Sequence, residues 1–500
     1  MNTVDGRETR LDVRLVPAAL TCWAVTAAGI LWSAIGVAAT ALTVSAAVGV
    51  AAWWGRRAGP AHDGAGVTTA GIAALAMTGL GFAIAVLLRV DQITDHPLVA
   101  RYGLVGSVIV TPSETPRVVG GGRLMFRASL LAADDIEMSG RVVVFASTAG
   151  FAELTVGQPA AFDARISRPK RRDLTVATLS ATGRPRLGEA ALIQRAGHRV
   201  REAFAATART ALPPDQAAML PALVLGDTSA VSADTTAQFR TSGLTHLTAV
   251  SGANVTIVCG AVLLAAGLVG PRVAVALAAV ALAGFVVVVQ PSASVLRAAV
   301  MAAITLLALV THRRKQAIPA LSAAVIVLMI AAPELAVDLG FALSVVATAA
   351  LVVIAPAWSQ RMVARGWPKP LADAVSVAVA AQLVTAPLVA AISGTFSVVA
   401  VIANLAAAVV IAPITVLGTA AAALAVLWPA GAGLLIRFTG PELWWLVNVA
   451  RLSARVPGAS VALPAGAPGA VIVAVAGIAV VVLARRCRRR LSLPHDTIGP

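Results

Sequence analysis

Long apolar segments are the feature that most limits how this chain can fold. Several of them contain roughly the 17–25 residues that an α-helix needs to cross a bilayer. They lie near residues 15–36, 68–88, 273–289, 371–391 and 467–484. Apolar residues make up 58% of the chain and charged residues only 12%, which is more apolar surface than a water-soluble core can bury. We therefore predict a polytopic α-helical membrane protein.

The N-terminal region, residues 1–94, is predicted to contain only transmembrane helices. Spans are expected at 15–36, 37–54 and 68–88, with Arg56 and Arg57 between the second and the third. Basic loops are retained in the cytoplasm, so the N-terminus and this loop are assigned to the inside. The third span then leads out of the cytoplasm. The net charge of +16 fits basic cytoplasmic loops and is by itself weak evidence for nucleic-acid binding.

A different kind of segment, residues 95–187, follows. Short runs of alternating apolar and polar residues are separated there by Gly, Pro, Asp and Ser, as in a small antiparallel β domain of about five strands. The runs are 106–110, 123–128, 141–145, 162–166 and 174–177. The size suits an OB-like barrel, and a small sandwich would give the same sequence signal. The preceding topology assigns this inserted domain to the extracytoplasmic side.

An amphipathic linking helix is predicted at residues 188–212. Its apolar positions have helical spacing, and its basic residues, including Arg201, are expected on the other faces. Such a helix would lie along the membrane surface. The apolar set includes Leu192, Ile193, Ala196, Val200 and Phe204.

The remaining chain is predicted to be a membrane domain, 213–484, with a basic cytoplasmic tail, 485–500. Basic loops at 312–315 and 361–365 are assigned to the inside. The chain must then cross the membrane an even number of times within 396–466, where prolines predict broken or re-entrant helices. The other spans are expected near 247–269, 273–289, 292–311, 317–333, 337–356 and 371–391.

Polar residues and glycines interrupt the apolar background between residues 223 and 254. Such groups are costly in or beside lipid unless they face water or one another. The passage contains Leu225-Gly226-Asp227 and the run Gly243-Leu244-Thr245-His246-Leu247-Thr248-Ala249-Val250-Ser251-Gly252. Glycine permits non-helical backbone, which occurs at membrane depth where the chain lines a cavity.

This passage resembles the ComEC competence-protein family, the membrane channels of natural transformation. The family pattern is an "LGD" followed by "GL-x-H-L-x-A-V-S-G". Later matches occur in order at residues 291–299 ("PS-x-x-R-A"), at 340–344 ("GF-x-L-S"), and at Gln382, Thr385, Pro387, Asn404 and Pro413. The matches span about 213–415, and the predicted β domain lies where the family carries an OB-like domain.

Two departures from the family pattern are visible. Asn254 stands where many members have a histidine after Ser-Gly. Many members also carry a C-terminal metallo-β-lactamase-like domain, whereas none of the six histidines here belongs to an H-x-H-x-D-H cluster. We therefore expect a short form that lacks this domain, with no metal site and no cofactor.

The resemblance implies a channel that carries single-stranded DNA across the bacterial inner membrane, and the basic loops and tail assign both termini to the cytoplasm. Arg297, placed at the centre of an apolar helix, is the main candidate for contact with passing phosphates; snorkelling to the outer surface is the alternative. The full set of path candidates is Asp227, His246, Ser251, Asn254, Arg297, Gln382 and Asn404. An alternative for His246, Ser251 and Asn254 is a structural role in capping a broken helix.

The β domain offers a second group of candidates for contact with DNA. Aromatic residues suited to base stacking are few, so a purely architectural role is an equal alternative. The basic candidates are Arg123, Arg127, Arg165, Lys170 and Arg171.

Partners follow from the resemblance and from a missing motif. No lysine lies in a P-loop, so a cytoplasmic ATP-driven translocase, the proton gradient or both would have to drive uptake. A periplasmic DNA receptor, a separate nuclease and membrane lipid complete the expected partners. We predict that the chain is not an enzyme. The alternatives are a small-solute or lipid transporter, and a membrane hydrolase that uses Ser251 and His246.

Overall fold

The computed structural model describes residues 12–32, 36, 38, 69–250, 252–290, 292–311 and 316–491. Apart from residue 38, the predicted span 37–54 lies outside the described residues. The same is true of Arg56 and Arg57, Ser251 and the basic loop 312–315.

Two helices precede the β domain in the described chain. Helix α1 runs over Val16–Trp32 and helix α2 over Thr69–Thr94, which extends beyond the predicted end at residue 88. Residue His96 then caps a 3-10 turn, Pro97–Arg101, by accepting a hydrogen bond from the Leu98 amide. The chain thus enters the β domain directly from α2.

The β domain is a closed barrel of five strands with one additional strand at its edge. Around the barrel the order is β1-β5-β6-β4-β3, and β3 pairs again with β1 to close it. The sixth strand, β2, pairs with β3. The strands are β1 Val105–Pro112, β2 Arg117–Gly120, β3 Arg123–Ala133, β4 Ile136–Ser147, β5 Ala160–Ser167 and β6 Ala177–Leu187.

Alternation of apolar and polar residues determines which side chains fill the barrel. On β3, Leu124 and Phe126 are buried, while Arg123 and Arg127 point to the outer face. The interior is a single cluster that includes Phe126, Phe151, Leu130, Ile166 and Leu179. A five-stranded closed barrel is therefore formed, not a sandwich.

Three details of the predicted β domain are wrong or incomplete. The sequence predicts the last strand at 174–177, but Leu174 has a φ of +61° and the strand begins at Ala177. Strand β2 was not predicted. The pairing is also not wholly antiparallel, because β4 and β6 are parallel neighbours. Tertiary pairing of this kind leaves no trace in a local alternation pattern.

Helix α3 lies inside the β domain between β4 and β5, and helices α4 to α6 follow the barrel. Helix α3 is the short turn Thr148–Phe151, followed by α4 Leu192–Ala211, α5 Pro214–Leu225 and α6 Ala233–Thr241. The predicted linking helix thus exists as α4, but the assignment of its faces is partly wrong. Leu192 and Ile193 are exposed, whereas Arg201 is buried together with Phe204. The buried face of α4 packs against α5, α8 and α14, whose bounds are given below.

Ten α-helices, a 3-10 turn and a small two-stranded sheet form the rest of the described chain. The pairing of β7 with β8 brings the two ends of the segment 396–466 together. The elements are α7 Gly252–Ala266, α8 Pro271–Val289, α9 Ala293–Val310, α10 Ala317–Ala331, a 3-10 turn Pro333–Val337, α11 Leu339–Val363, α12 Lys369–Ser393, β7 Thr395–Ser397, α13 Ala400–Leu424, α14 Pro429–Phe438, α15 Gly440–Arg455, β8 Ser460–Ala462 and α16 Ala467–Leu491.

Five described segments are long and apolar enough to cross a membrane. They are Ala74–Arg101, Pro271–Val289, Leu339–Val363, Lys369–Ser393 and Ala400–Leu424. Apolar helices of 10–17 residues, such as α7 and α10, accompany them. By length and composition the chain therefore fits a multi-pass membrane protein with an inserted barrel.

The chain divides into two compact units. The first contains residues 1–230, 249–342 and 413–439, and so includes the barrel, α4, α5 and α7 to α10. The second contains residues 231–248, 343–412 and 440–500. The predicted path residues are divided between these units.

Candidate functional site

The Leu225-Gly226-Asp227 motif ends the buried helix α5. Gly226 has a φ of +71°, and its amide donates to the Ala222 carbonyl as the helix cap. A side chain disfavours this left-handed conformation, so glycine is the residue that suits the position. Asp227 follows as a turn residue whose Oδ1 accepts from the Ser229 hydroxyl at 2.6 Å. The motif therefore builds a tight helix end that carries one carboxylate.

Arg201 of α4 binds that helix end and the end of a second helix. Its Nη1 donates to the Leu225 carbonyl at 3.0 Å and to the Val288 carbonyl of α8 at 3.1 Å. Its Nη2 lies 3.7 Å from Asp227 Oδ2. A cation is well suited to these positions because helix C-termini leave carbonyls unpaired and carry partial negative charge.

Burial at this position affects the acidity of the guanidinium. Only 8% of Arg201 is exposed, and this burial lowers its pKa, while the nearby Asp227 carboxylate opposes the shift. The sequence interpretation missed Arg201 as a site residue. The available signal was its helical spacing from Gly197, Phe204 and Ala208, which share its buried face.

Asn254, the residue that replaces the family histidine, also binds the last turn of α5. Its Nδ2 donates to the Leu223 carbonyl at 3.0 Å, and only 5% of the residue is exposed. The first turn of α7 is thereby tied to α5. This geometry matches the structural alternative considered for Asn254, a side chain that satisfies the backbone of an interrupted helix.

We expect Asn254→Ala to destabilise the protein by about 1–3 kcal/mol, because the buried Leu223 carbonyl would lose a donor. Asn254→His should be tolerated better, since an imidazole N–H can donate to the same carbonyl. Thermal unfolding of the detergent-purified variants measures both. An equal decrease in unfolding temperature in the two variants would contradict the assigned role of the Asn254 amide.

Arg297 lies in the second turn of α9, since this helix begins at Ala293. The prediction that it occupies the helix centre is therefore wrong. Only 5% of the residue is exposed, and its Nη1 lies 3.2 Å from Met301 Sδ. Its Nη2 would stand 3.0 Å from a Cβ added at Gly252. The glycine that ends the Gly243–Gly252 run thus leaves the space that the guanidinium fills.

Ser292 and Ser294 fix the start of the helix that carries Arg297. Ser292 is the N-cap of α9, with its hydroxyl accepting from the Val295 amide. Ser294 Oγ donates to the Val250 carbonyl at 2.9 Å, which ties α9 to the residues just before α7. Arg297 and Asn254 therefore both belong to the polar connections of the first unit.

Three predicted path residues lie in the second unit. His246 is exposed in the 3-10 turn Thr245–Leu247. Asn404 donates from Nδ2 to the carbonyl of Ala400, one turn earlier in α13, at 2.8 Å. Gln382 is half-buried midway along α12.

Close packing accompanies the start of the Gly243–Gly252 run in the second unit. Gly243 has a φ of +73°, and a Cβ added there would stand 2.6 Å from the Ala400 Cβ. Ser397 Oγ donates to the Thr241 carbonyl at 2.7 Å. This part of the family pattern therefore packs against the start of α13.

The predicted basic residues of the barrel differ in their surroundings. Arg165, Lys170 and Arg171 are exposed. Arg123 is exposed as well, and its guanidinium carbon stands 5.7 Å from the centre of the Phe145 ring. Arg127 forms an ion pair with Glu114 at 3.4 Å.

Further contacts join the barrel to helix ends of the first unit. The Thr115 hydroxyl donates to Gln290 Oε1 at 2.6 Å, and Arg172 Nη1 donates to the Leu31 carbonyl of α1 at 2.7 Å. Arg141 forms an ion pair with Glu334 in the turn between α10 and α11. The barrel thus lies at the ends of α1 and α8 and at the α10–α11 turn.

Comparison with known proteins gives one match. The protein-family model described as "Competence protein" matches residues 223–488, slightly more than half of the 500-residue chain. The match begins in α5 and covers the motifs at Gly226 and Arg297. No curated protein and no solved structure matches the chain.

Proposed function

Because this chain belongs to the competence protein family, we propose that it is an inner-membrane channel that carries single-stranded DNA into the cytoplasm during natural transformation. The observation that carries the proposal is the family match over 223–488, which includes Asp227, Asn254 and Arg297 and their polar connections. The apolar helices support a multi-pass membrane protein, and membership of the family supports a role in DNA uptake.

The barrel is proposed to be of the OB type. Its closed order β1-β3-β4-β6-β5 and the parallel pairing of β4 with β6 fit a five-stranded Greek-key barrel. In OB-folds, oligonucleotides bind on the second and third barrel strands and on the loops beside them. Here those strands are β3 and β4, and the loop between β5 and β6 carries Lys170 and Arg171.

The sidedness of the chain is proposed from the positions of its charges. The barrel contacts the C-terminal ends of α1 and α8, whereas Arg272 lies at the opposite end of α8. Helix α9 begins beside the end of α8 that contacts the barrel, and the basic sequence 312–315 follows the other end of α9. Positive residues favour the cytoplasm, so the barrel would be extracytoplasmic and both termini cytoplasmic.

The strand is proposed to pass close to Arg297, which offers a weak and salt-sensitive phosphate contact. Weak contacts suit a moving polymer, because tight sites would stall it. Asp227, His246, Ser251, Asn254, Gln382 and Asn404 stay as path candidates, although the side-chain bonds of Asn254 and Asp227 also suit a structural role.

We propose that the chain is not itself an enzyme. A periplasmic DNA receptor, an ATP-driven translocase on the cytoplasmic side and a separate nuclease would act with it. The rival proposal of a small-solute transporter does not require the barrel. The barrel is connected to the helices by the Arg141–Glu334 ion pair and by the hydrogen bond from Arg172, and these contacts favour a role for the barrel in transport.

Uptake of DNA labelled on one strand tests the function. Cells that lack the gene should hold the label outside the cytoplasm, and a plasmid copy should restore entry. A copy without residues 95–187 should be inserted in the membrane yet fail to restore entry. Normal entry of labelled DNA in the gene deletion would refute the channel, and full function without the barrel would favour the solute-transporter proposal.

A further inference from the structure

The outer face of β3 and β4 carries a row of alternating basic and apolar side chains. Leu124 and Phe126 on β3, and Val142 and Val144 on β4, point into the barrel, so their neighbours in sequence point out. The outward set is Arg123, Met125 and Arg127 on β3 with Arg141, Val143 and Phe145 on β4. We call these six residues the arginine face.

The register brings the members of the arginine face together. Met125 is paired with Phe145, and Arg127 with Val143. The nearness of Arg127 to Arg141 contributes to the lowered pKa of Arg141, after the larger effect of burial. Two neighbouring cations favour an anion beside them, and Asp173, Glu114 and Asp338 accordingly raise the pKa of Arg141 in opposition to Arg127.

Protein carboxylates supply anions at two of the three arginines. Glu114 Oε2 lies 3.4 Å from Arg127 Nη1, and Glu114 Oε1 accepts from the Arg127 amide. Glu334 forms an ion pair with Arg141. The arginine side chains still expose 37% and 39% of their surface, respectively, so a ligand can reach both from solvent.

We infer that Glu114 and Glu334 keep the arginine face occupied, on the side of the barrel where OB-folds bind oligonucleotides, until the phosphates of single-stranded DNA displace them. The inference rests on the proposed function and assigns its receiving surface. A carboxylate and a phosphate oxygen use the same guanidinium donors, so the two compete. Partly exposed ion pairs are weak enough for a polyanion to exchange.

The remaining members of the face suit the unpaired bases of a single strand. Phe145 is half-buried beneath the exposed Arg123 guanidinium, so an aromatic ring and a cation are presented together. Bases of any sequence can stack on such a platform. The row then leads from Arg123 to Arg141, whose partner Glu334 lies in the turn before α11. A bound strand would therefore be directed toward the helix ends.

Removing the two competing charges tests the inference. The probe is a fluorescent thymidine oligonucleotide of roughly 16 nucleotides, the upper site size for one OB barrel. We expect the double variant Glu114→Gln/Glu334→Gln of the full-length detergent-purified protein to bind it about three- to tenfold more tightly than wild type. The matched control is Glu137→Gln. Glu137 is exposed on β4, carries the same charge and makes no ion pair with any described residue. This control should bind as wild type does.

The outcomes separate the inference from the function. Equal affinity of the double variant and Glu137→Gln, with wild type binding the oligonucleotide, would overturn the competition and leave the channel intact. Absence of oligonucleotide binding in all proteins would overturn the receiving surface, while uptake in cells would still decide the channel. Thermal unfolding shows whether each variant is folded. If the double variant does not fold, the oligonucleotide affinity of the single variant Glu114→Gln, whose contacts lie within the barrel, tests the inference in its place.

Discussion

Replacing Arg201 by alanine is expected to lower the stability of the helical core by about 2–5 kcal/mol. The guanidinium donates to the carbonyls of Leu225 and Val288, and both carbonyls would be left without this donor. Asp227 would also lose its cationic neighbour. Since water has little access to a residue that is 8% exposed, these losses are not easily replaced.

Thermal unfolding in detergent measures the effect of Arg201→Ala, and the same helix offers a matched control. Arg199 is exposed, so Arg199→Ala should change stability by no more than about 0.5 kcal/mol. Asp227→Asn should fall between the two, because Arg201 would keep its carbonyl acceptors. If Arg201→Ala unfolds at the same temperature as Arg199→Ala, Arg201 does not hold α5 and α8 together.

Adding a single methyl group at Gly252 is expected to reduce DNA uptake at least about tenfold, as the loss of a charge-assisted contact of about 1.5 kcal/mol or more implies. The new Cβ would stand 3.0 Å from Arg297 Nη2 and 3.4 Å from the Ala298 Cβ. A contact of 3.0 Å is tighter than an ordinary van der Waals contact, so the guanidinium must give way by a few tenths of an ångström. The variant therefore changes the position of the charge without removing it.

The same helix provides the control for Gly252→Ala. A Cβ added at Gly260 of α7 meets nothing within 4 Å, so Gly260→Ala makes the same chemical change without touching Arg297. It should leave uptake unchanged, and alanine should stabilise the helix slightly. Arg297→Ala should reproduce the defect of Gly252→Ala, with membrane insertion intact by immunoblotting. Normal uptake in both Gly252→Ala and Arg297→Ala would exclude a role for this guanidinium in transport.

Much of the fold could be predicted because lipid restricts what a long apolar segment can become. Residues 273–289 of the predicted span coincide with α8 Pro271–Val289, and the predicted strand 162–166 lies within β5 Ala160–Ser167. Periodicity is a local signal, so it locates such elements well. It could not reveal the parallel neighbours β4 and β6, because pairing between distant strands depends on tertiary packing.

The site was predicted less completely than the fold. The family motif directed attention to Asp227 and Asn254, but no local pattern indicates that Asn254 binds the Leu223 carbonyl. Arg201 was assigned to a polar face because arginine is usually exposed. Its burial follows from two helix ends that converge on it, and one of them, at Val288, is 87 residues away along the chain. A charged residue on a helix is therefore a poor predictor of solvent exposure where the ends of other helices need a hydrogen-bond donor.

Photo-cross-linking of DNA during uptake tests most directly whether a strand passes beside Arg297. A photoreactive amino acid would replace Ser294, one turn before Arg297, or Leu264, which is 84% exposed on α7 and serves as the control. If the account is right, irradiation while labelled DNA is entering cells will join the labelled single strand to position 294 and not to position 264. Efficient uptake with no adduct at position 294, or equal adducts at both positions, would contradict it.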